Sequence, residues 1–340
     1  MAEPMAGRVS AAMVSDKSAS RVAVYVDLDL VGDALIKLPL VRALRAACPG
    51  AEIIWIAGQG PSAYANALAP LVGGLIDRVI ENTGTGPTLR QALAGPQLDL
   101  LIDTQGSVSI ARDLRRLGAR RFVTAAAWGL PGAPPQFAPN PPRHLVRRLL
   151  ALLHRATGAV PEPYAPLRLP PPILSRAAAL LPPGPSYVAQ VLGAGGRHKI
   201  WPEANHIALA RALSAAGHTP VLILGPDERE RHADLAAALP DARFPLQQAT
   251  TAPPALTIAL AAHCTAAVAA DCGGGHMMAA AGVPLVALFG PTDPGKFAPW
   301  APFVRILRAQ DFGGAGMAAI PVGAVHAALR DIARPKGEFA

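Results

Sequence analysis

Short apolar runs rich in β-branched residues alternate along the chain with longer stretches whose apolar positions recur at helical spacing. That alternation predicts parallel α/β architecture, because parallel neighbours need a crossover helix between them. In the first half it predicts strands at Val22–Val26, Ile53–Ala57, Ile76–Ile80, Leu98–Ile102 and Arg121–Thr124. Helices are expected at Asp33–Ala47, near Ser62–Ala69, near Thr88–Leu93 and at Val108–Leu117. The pattern breaks at Leu130–Pro142, a loop with six prolines. A helix over Arg143–Thr157 follows, and then a second proline-rich run, Pro161–Pro172, reads as a linker. Beyond it the alternation restarts, with strands at Tyr187–Leu192, Pro220–Leu224, Ala266–Ala270, Leu285–Phe289 and Val304–Leu307. Their helices are Ala204–Ala216, Glu228–Leu239, Ala255–Ala262, His276–Ala281 and Val322–Ile332.

Two similar halves joined by one linker predict two doubly wound, Rossmann-like α/β domains facing a central cleft. The expected division is a loose tail over 1–20, a first domain over 21–165 and a second over 166–340, with the last helix able to pack back on the first domain. Composition agrees: 340 residues, 51% of them apolar, are enough for two cores. A mean hydropathy of +0.30 makes a membrane span worth testing. The longest uncharged stretches, Phe244–Ala270 and Cys272–Thr292, are interrupted by prolines, glycines and polar residues, so neither reads as one. The first 20 residues lack a basic segment followed by an apolar core, so no secretory signal is expected. Three cysteines, Cys48, Cys264 and Cys272, without C-x-x-C spacing argue against a disulfide framework or a zinc site. A soluble protein of the reducing cytoplasm is the expectation.

The formal charge of +8 is concentrated in one window, where residues 105–155 hold nine arginines and a single acid, Asp113. The remainder therefore sums to zero. Either this is a solvated helix face, or it meets something anionic such as a phosphorylated acceptor or the inner leaflet of a membrane. No aromatics interleave with these arginines to stack bases, which argues against nucleic acid.

Four segments carry candidate chemistry, each at the carboxyl end of an expected strand. Gly32 and Asp33 open the first helix, where an aspartate caps well or serves as a general base facing the cleft. Gly193-Ala194-Gly195-Gly196-Arg197-His198-Lys199 is a glycine-rich basic loop fit to cradle phosphate, with Lys199 as a point charge. Asp271-Cys272-Gly273-Gly274-Gly275-His276 leads from a buried strand into a helix whose first amides would face an anion. Leu288-Phe289-Gly290-Pro291-Thr292-Asp293-Pro294 has a turn at the end of another strand. Asp27 and Asp29 also spell D-x-D, a metal-binding pattern in some sugar transferases, but three letters recur by chance and Lys199 with helix amides already offers diphosphate a counter-charge.

Val31-Gly32-Asp33 leading into Leu38-Pro39-Leu40-Val41-Arg42-Ala43-Leu44, Lys199-x-Trp201-Pro202, Asp271-x-Gly273-x-x-His276 and Phe289-Gly290-Pro291-Thr292-Asp293-Pro294 together resemble glycosyltransferase family 9, the heptosyltransferases of lipopolysaccharide core synthesis. The likeness runs from about residue 22 to 310, with the motifs in the family's order. It implies a GT-B fold, with the first domain on the acceptor side and the second binding a nucleotide-sugar. It implies inverting, metal-independent transfer with no cofactor, from a donor such as ADP-heptose to a lipid-linked acceptor at the inner membrane face. By that resemblance Asp33 is the catalytic base. Lys199, Asp271, Cys272, Gly273, Gly274, Gly275 and His276 hold the donor, with Glu228 near the ribose. Gly32, Asp103, Gln105 and Arg112 lie on the acceptor side. The chain departs from the likeness at Asp27, where many relatives carry arginine, and near Ser109, where many carry a basic residue. An NAD-dependent dehydrogenase would need G-x-G-x-x-G after the first strand, and Asp27–Asp33 does not supply it. A non-catalytic binding or assembly protein on the same fold is the other alternative, as is a different nucleotide-sugar.

Overall fold

The computed structural model describes residues 20–128, 141–162, 164, 167–249, 251 and 253–333. The expected tail, most of the Leu130–Pro142 loop and part of the linker lie outside the described residues. In the first half the elements run β1 (Arg21–Val26), α1 (Val31–Ala47), β2 (Glu52–Ala57), α2 (Ala69–Val72), β3 (Arg78–Glu81), α3 (Pro87–Ala92), β4 (Leu100–Asp103), α4 (Val108–Arg115), β5 (Arg121–Thr124) and α5 (Leu145–Thr157). The second half runs α6 (Pro171–Leu180), β6 (Tyr187–Val191), α7 (Glu203–Ala215), β7 (Thr219–Ile223), α8 (His232–Ala238), α9 (Pro254–Ala262) and β8 (Cys264–Ala270). It ends with α10 (Gly273–Ala280), β9 (Leu285–Phe289), α11 (Pro294–Phe297), β10 (Val304–Arg308) and α12 (Val322–Ile332).

Each half is a five-stranded sheet, in the orders β3-β2-β1-β4-β5 and β10-β9-β8-β6-β7, and every strand pairing is parallel. The pleat explains why β1 is apolar throughout. Val22, Val24 and Val26 pack on the α1 side, while Ala23 and Tyr25 pack on the opposite layer. In such sheets ligands bind beyond the carboxyl ends of the strands where the order reverses. These points fall between β1 and β4 in the first sheet and between β6 and β8 in the second.

The halves are packed together. The first core continues across the boundary through Ala255 and Ile258 of α9. At the α5 end, Arg143 pairs with Asp293 at 2.8 Å. His144 Nδ1 accepts the Val146 amide at 3.2 Å, which leaves its Nε2 to donate to the Ala298 carbonyl at 3.0 Å. The last helix, α12, lies on α7 and the second sheet. Among the described residues no helix is long and apolar enough to cross a membrane.

Three elements differ from expectation for local reasons. The helix expected at Ser62–Ala69 is one 3₁₀ turn, Ala63–Ala65, started by the Ser62 hydroxyl accepting the Tyr64 amide, and then α2. Glu228–Leu239 becomes a 3₁₀ turn followed by the shorter α8. Helix α6 begins inside the proline run read as linker, with Pro171 and Pro172 in its first turn, where proline's fixed φ and missing N–H do no harm.

Candidate active site

Asp33 is not the cap of α1: Leu30 occupies that place, and Asp33 stands half-buried in the first turn, where the helix dipole favours negative charge. The loop that delivers it, Asp27–Leu30, is held by a buried network. Asp29 is fully buried, paired with Lys37 of α1 at 3.1 Å, and its Oδ2 accepts from Trp55 Nε1 at 2.9 Å and from Ser62 Oγ at 2.5 Å. Lys37 also donates to the Leu28 carbonyl at 2.9 Å. Asp29 is thus held inside the protein by Lys37, Trp55 and Ser62. Sequence reasoning missed this role; the available signal was a lysine within the apolar stripe of α1. Lys37→Met leaves Asp29 buried and unpaired, and about 3–5 kcal/mol of stability should be lost in denaturant unfolding.

Beside this loop, across the β1/β4 switch point, Asp103 is fully buried at the end of β4. Its Oδ2 accepts from Thr124 Oγ1 at 2.7 Å and its Oδ1 from the Gln105 amide at 2.9 Å. Burial raises its pKa to about 6, with those two bonds acting the other way. Asp103 therefore anchors the loop bearing Gln105, rather than reaching into the crevice itself. Gln105 bonds Thr104 Oγ1 at 3.0 Å. Arg112 is exposed on α4 and joins none of these bonds.

In the second half, β8 ends at Ala270, Asp271 follows it, and α10 starts immediately after Cys272, three residues before the predicted His276. The Gly273, Gly274 and Gly275 amides are the first three of the helix and have no intrahelical acceptor. Gly274 must be glycine because a Cβ there would lie 2.5 Å from Val191, whereas Gly273 faces open space. Burial pushes the Cys272 thiol up, while hydrogen bonds from the Gly275 and Gly274 amides draw it back down. Lys199, in the turn Arg197–Lys199, reaches across the β6/β8 switch point and pairs with Asp271 at 2.8 Å. An ammonium has three N–H groups, so two remain for a ligand. His276 is buried and its pKa is driven down to about 4 by burial, so its ring is neutral near pH 7. It lines a cavity behind the crevice and is no cation for phosphate.

Between the loops after β6 and β7 lies an open cleft of about 730 Å³, lined by Gly195, Arg197, Trp201, Asp227, Glu228 and Arg231 among others. The Glu228 carboxylate lies over Gly193 and Gly225, and a Cβ on Gly193 would collide with it. Gly193→Ala should therefore displace Glu228 without disturbing the fold. A donor KM raised about tenfold, as for Glu228→Ala, is expected from the loss of one charge-assisted bond. The double variant should be no worse than either single one, which steady-state kinetics will check.

The two half-sites share one crevice. A Cβ on Gly32 would sit 3.8 Å from the Gly273 Cα, so the first turns of α1 and α10 lie side by side. The structure brings Gly32, next to Asp33, against Gly273, which opens the glycine run after Asp271, and ties Lys199 in through Asp271. Two doubly wound domains packed against each other in this way are the GT-B architecture. The sequence profile of glycosyltransferase family 9 (heptosyltransferase) matches residues 87–315. Lipopolysaccharide heptosyltransferase 1 of Pseudomonas aeruginosa is 30% identical over a 295-residue alignment covering 78% of this chain and 77% of its own. The chain belongs to glycosyltransferase family 9, and is an enzyme of the heptosyltransferase type in lipopolysaccharide biosynthesis. The same fold is seen in a family 9 glycosyl transferase from Veillonella parvula, with TM-score 0.71, 16% identity, and coverage of 92% of this chain and 97% of that one. It is seen also in the E. coli heptosyltransferase WaaC with ADP-2-deoxy-2-fluoro heptose, with TM-score 0.67, 22% identity, and coverage of 92% and 99%.

Proposed function

We propose that this chain transfers a heptose from ADP-heptose, with inversion, to a lipid-linked lipopolysaccharide-core acceptor at the cytoplasmic face of the inner membrane. The observation that carries this reading is the close approach of the first turns of α1 and α10 at Gly32 and Gly273, which supports a carboxylate of the first domain working against the amides and lysine of the second. In the proposal the donor lies on the second domain, its diphosphate on the Gly273–Gly275 amides and Lys199, its ribose near Glu228. Asp271 orients Lys199 and faces the donor sugar. The acceptor lies on the first domain, over the loops after β1 and β4. Asp33 takes the acceptor hydroxyl's proton as that oxygen attacks the anomeric carbon. The bond to the diphosphate breaks on the opposite side, and the charge it releases is met by donors already in place. No step is routed through a metal, because Lys199 and the amides supply the counter-charge.

The exposed side chains of Leu28 and Leu30 flank Asp33, and an acceptor carrying an acyl chain fits apolar groups there. The exposed arginines of α4 are suited to its phosphates or to anionic lipid. The Pseudomonas relative is named a lipopolysaccharide heptosyltransferase and WaaC is described with an ADP-linked heptose analogue, which favours this donor over UDP-sugars. The test is a mass-shift assay on purified protein with heptose-free core acceptor and a panel of ADP- and UDP-sugars. The reading requires a heptose mass increment with ADP-heptose only, and transfer from a UDP-sugar instead would refute the donor assignment.

A further inference from the structure

Behind the crevice, the middle of α1, the far end of α10 and the linker enclose a second cavity of about 350 Å³. Its walls come from both domains and are more apolar than polar: Leu38 and Pro39 of α1, Ile258 of α9, Ala279 of α10, with Leu167 and Leu169 of the linker. Three features at this cavity serve no purpose in the transfer reaction. Its one permanently charged lining group is Arg42, which makes no hydrogen bond or ion pair among the described residues and whose Nε is buried without a partner. The described residues that line it include no acid; Glu162 acts on Arg42 only through space, and burial still disfavours the charge. Two large apolar side chains that are exposed to solvent, Tyr164 at 42% and Leu174 at 43%, also line it, and Tyr164 stacks on Trp300 at 5.3 Å.

A half-buried guanidinium whose Nε lacks a partner favours an anion that would pair with it. A hollow with exposed apolar residues among its lining attracts a chain rather than a sugar. At about 30 Å³ for each heavy atom, the hollow has room for about a dozen atoms. We propose that this interdomain cavity is a binding site for a single-chain anionic amphiphile, an alkyl carboxylate of about ten carbons, whose head pairs with Arg42 while its tail lies between α1, α9 and α10. The charge complementarity chooses the head, and the volume sets the length. Because α1 carries Asp33 and α10 carries the glycine amides, an occupant here touches both helices whose first turns form the crevice, without entering it.

Isothermal titration of the full chain with sodium decanoate below its micelle concentration tests this. One equivalent should bind saturably. Arg42→Met should weaken binding about tenfold or more, the size of a lost charge-assisted bond. Leu174→Glu, a change at an exposed position that does not threaten folding, should weaken it too by repelling the head. Arg330→Ala, an exposed arginine on α12, which does not line the cavity, should leave it unchanged. Decyltrimethylammonium should not bind. The proposal is overturned if decanoate shows no saturable binding up to millimolar concentration. It is equally overturned if Arg42→Met binds as the wild type does, or if the cationic amphiphile binds as well as decanoate.

Discussion

Asp33→Ala is expected to lower kcat by about 10³-fold or more while leaving ADP affinity within about twofold of the wild type. A positioned general base typically supplies 10²–10⁴ in rate. In the proposed reaction nothing else in the first turn of α1 can replace it, since Leu30, Val31 and Gly32 have no proton acceptor in their side chains. ADP affinity should survive because the amides and the lysine that would hold the diphosphate belong to the other domain. Asp33→Asn should behave the same way, since it keeps the shape and removes only the basic charge. Stopped-flow or quench kinetics alongside ADP titration separate the two quantities. Retained turnover in either variant would refute the assignment of the base.

Lys199→Met should harm both binding and chemistry, with kcat/KM falling about 10²–10³-fold, the usual size for losing one donor to developing charge. Its pairing with Asp271 at 2.8 Å raises a second explanation, that the lysine merely neutralises a largely buried carboxylate. The double variant Lys199→Met with Asp271→Asn decides between them. If neutralisation were the whole role, removing both charges would restore activity. If Lys199 meets the diphosphate, the double variant stays as inactive as the single one and ADP binding stays weak, a comparison that calorimetry and steady-state rates make directly.

What could be read from the sequence was local and periodic. The ten strands follow from apolar runs bounded by turns, and the glycine loops at Gly193 and Gly273 stand out because glycine before a helix is informative on its own. The GT-B fold of the structure matches the expectation of two facing doubly wound domains. What could not be read depends on contacts far apart in the chain. Asp29 joins Lys37, Trp55 and Ser62 only after β1, β2 and α1 have packed. The bonds from Arg143 and His144 to Asp293 and Ala298 cross some 150 positions, and nothing near either end announces them. Helix α6 was hidden for a different reason: prolines mark both linkers and helix starts, and only the apolar contacts of Ala177 and Leu181 resolve which. Arginine-rich composition told where charge lies, but not that Arg42, outside that window, has a buried Nε without a hydrogen-bond partner among the described residues.

The central claim is that reaction occurs across the α1/α10 junction, and a crystal structure of the chain with the unreactive ADP-2-deoxy-2-fluoro heptose tests it most directly. The diphosphate should lie within hydrogen-bond distance of the Gly273–Gly275 amides and Lys199, with the anomeric carbon facing the Asp33 carboxylate. A diphosphate bound away from α10, or a sugar turned from Asp33, would contradict it.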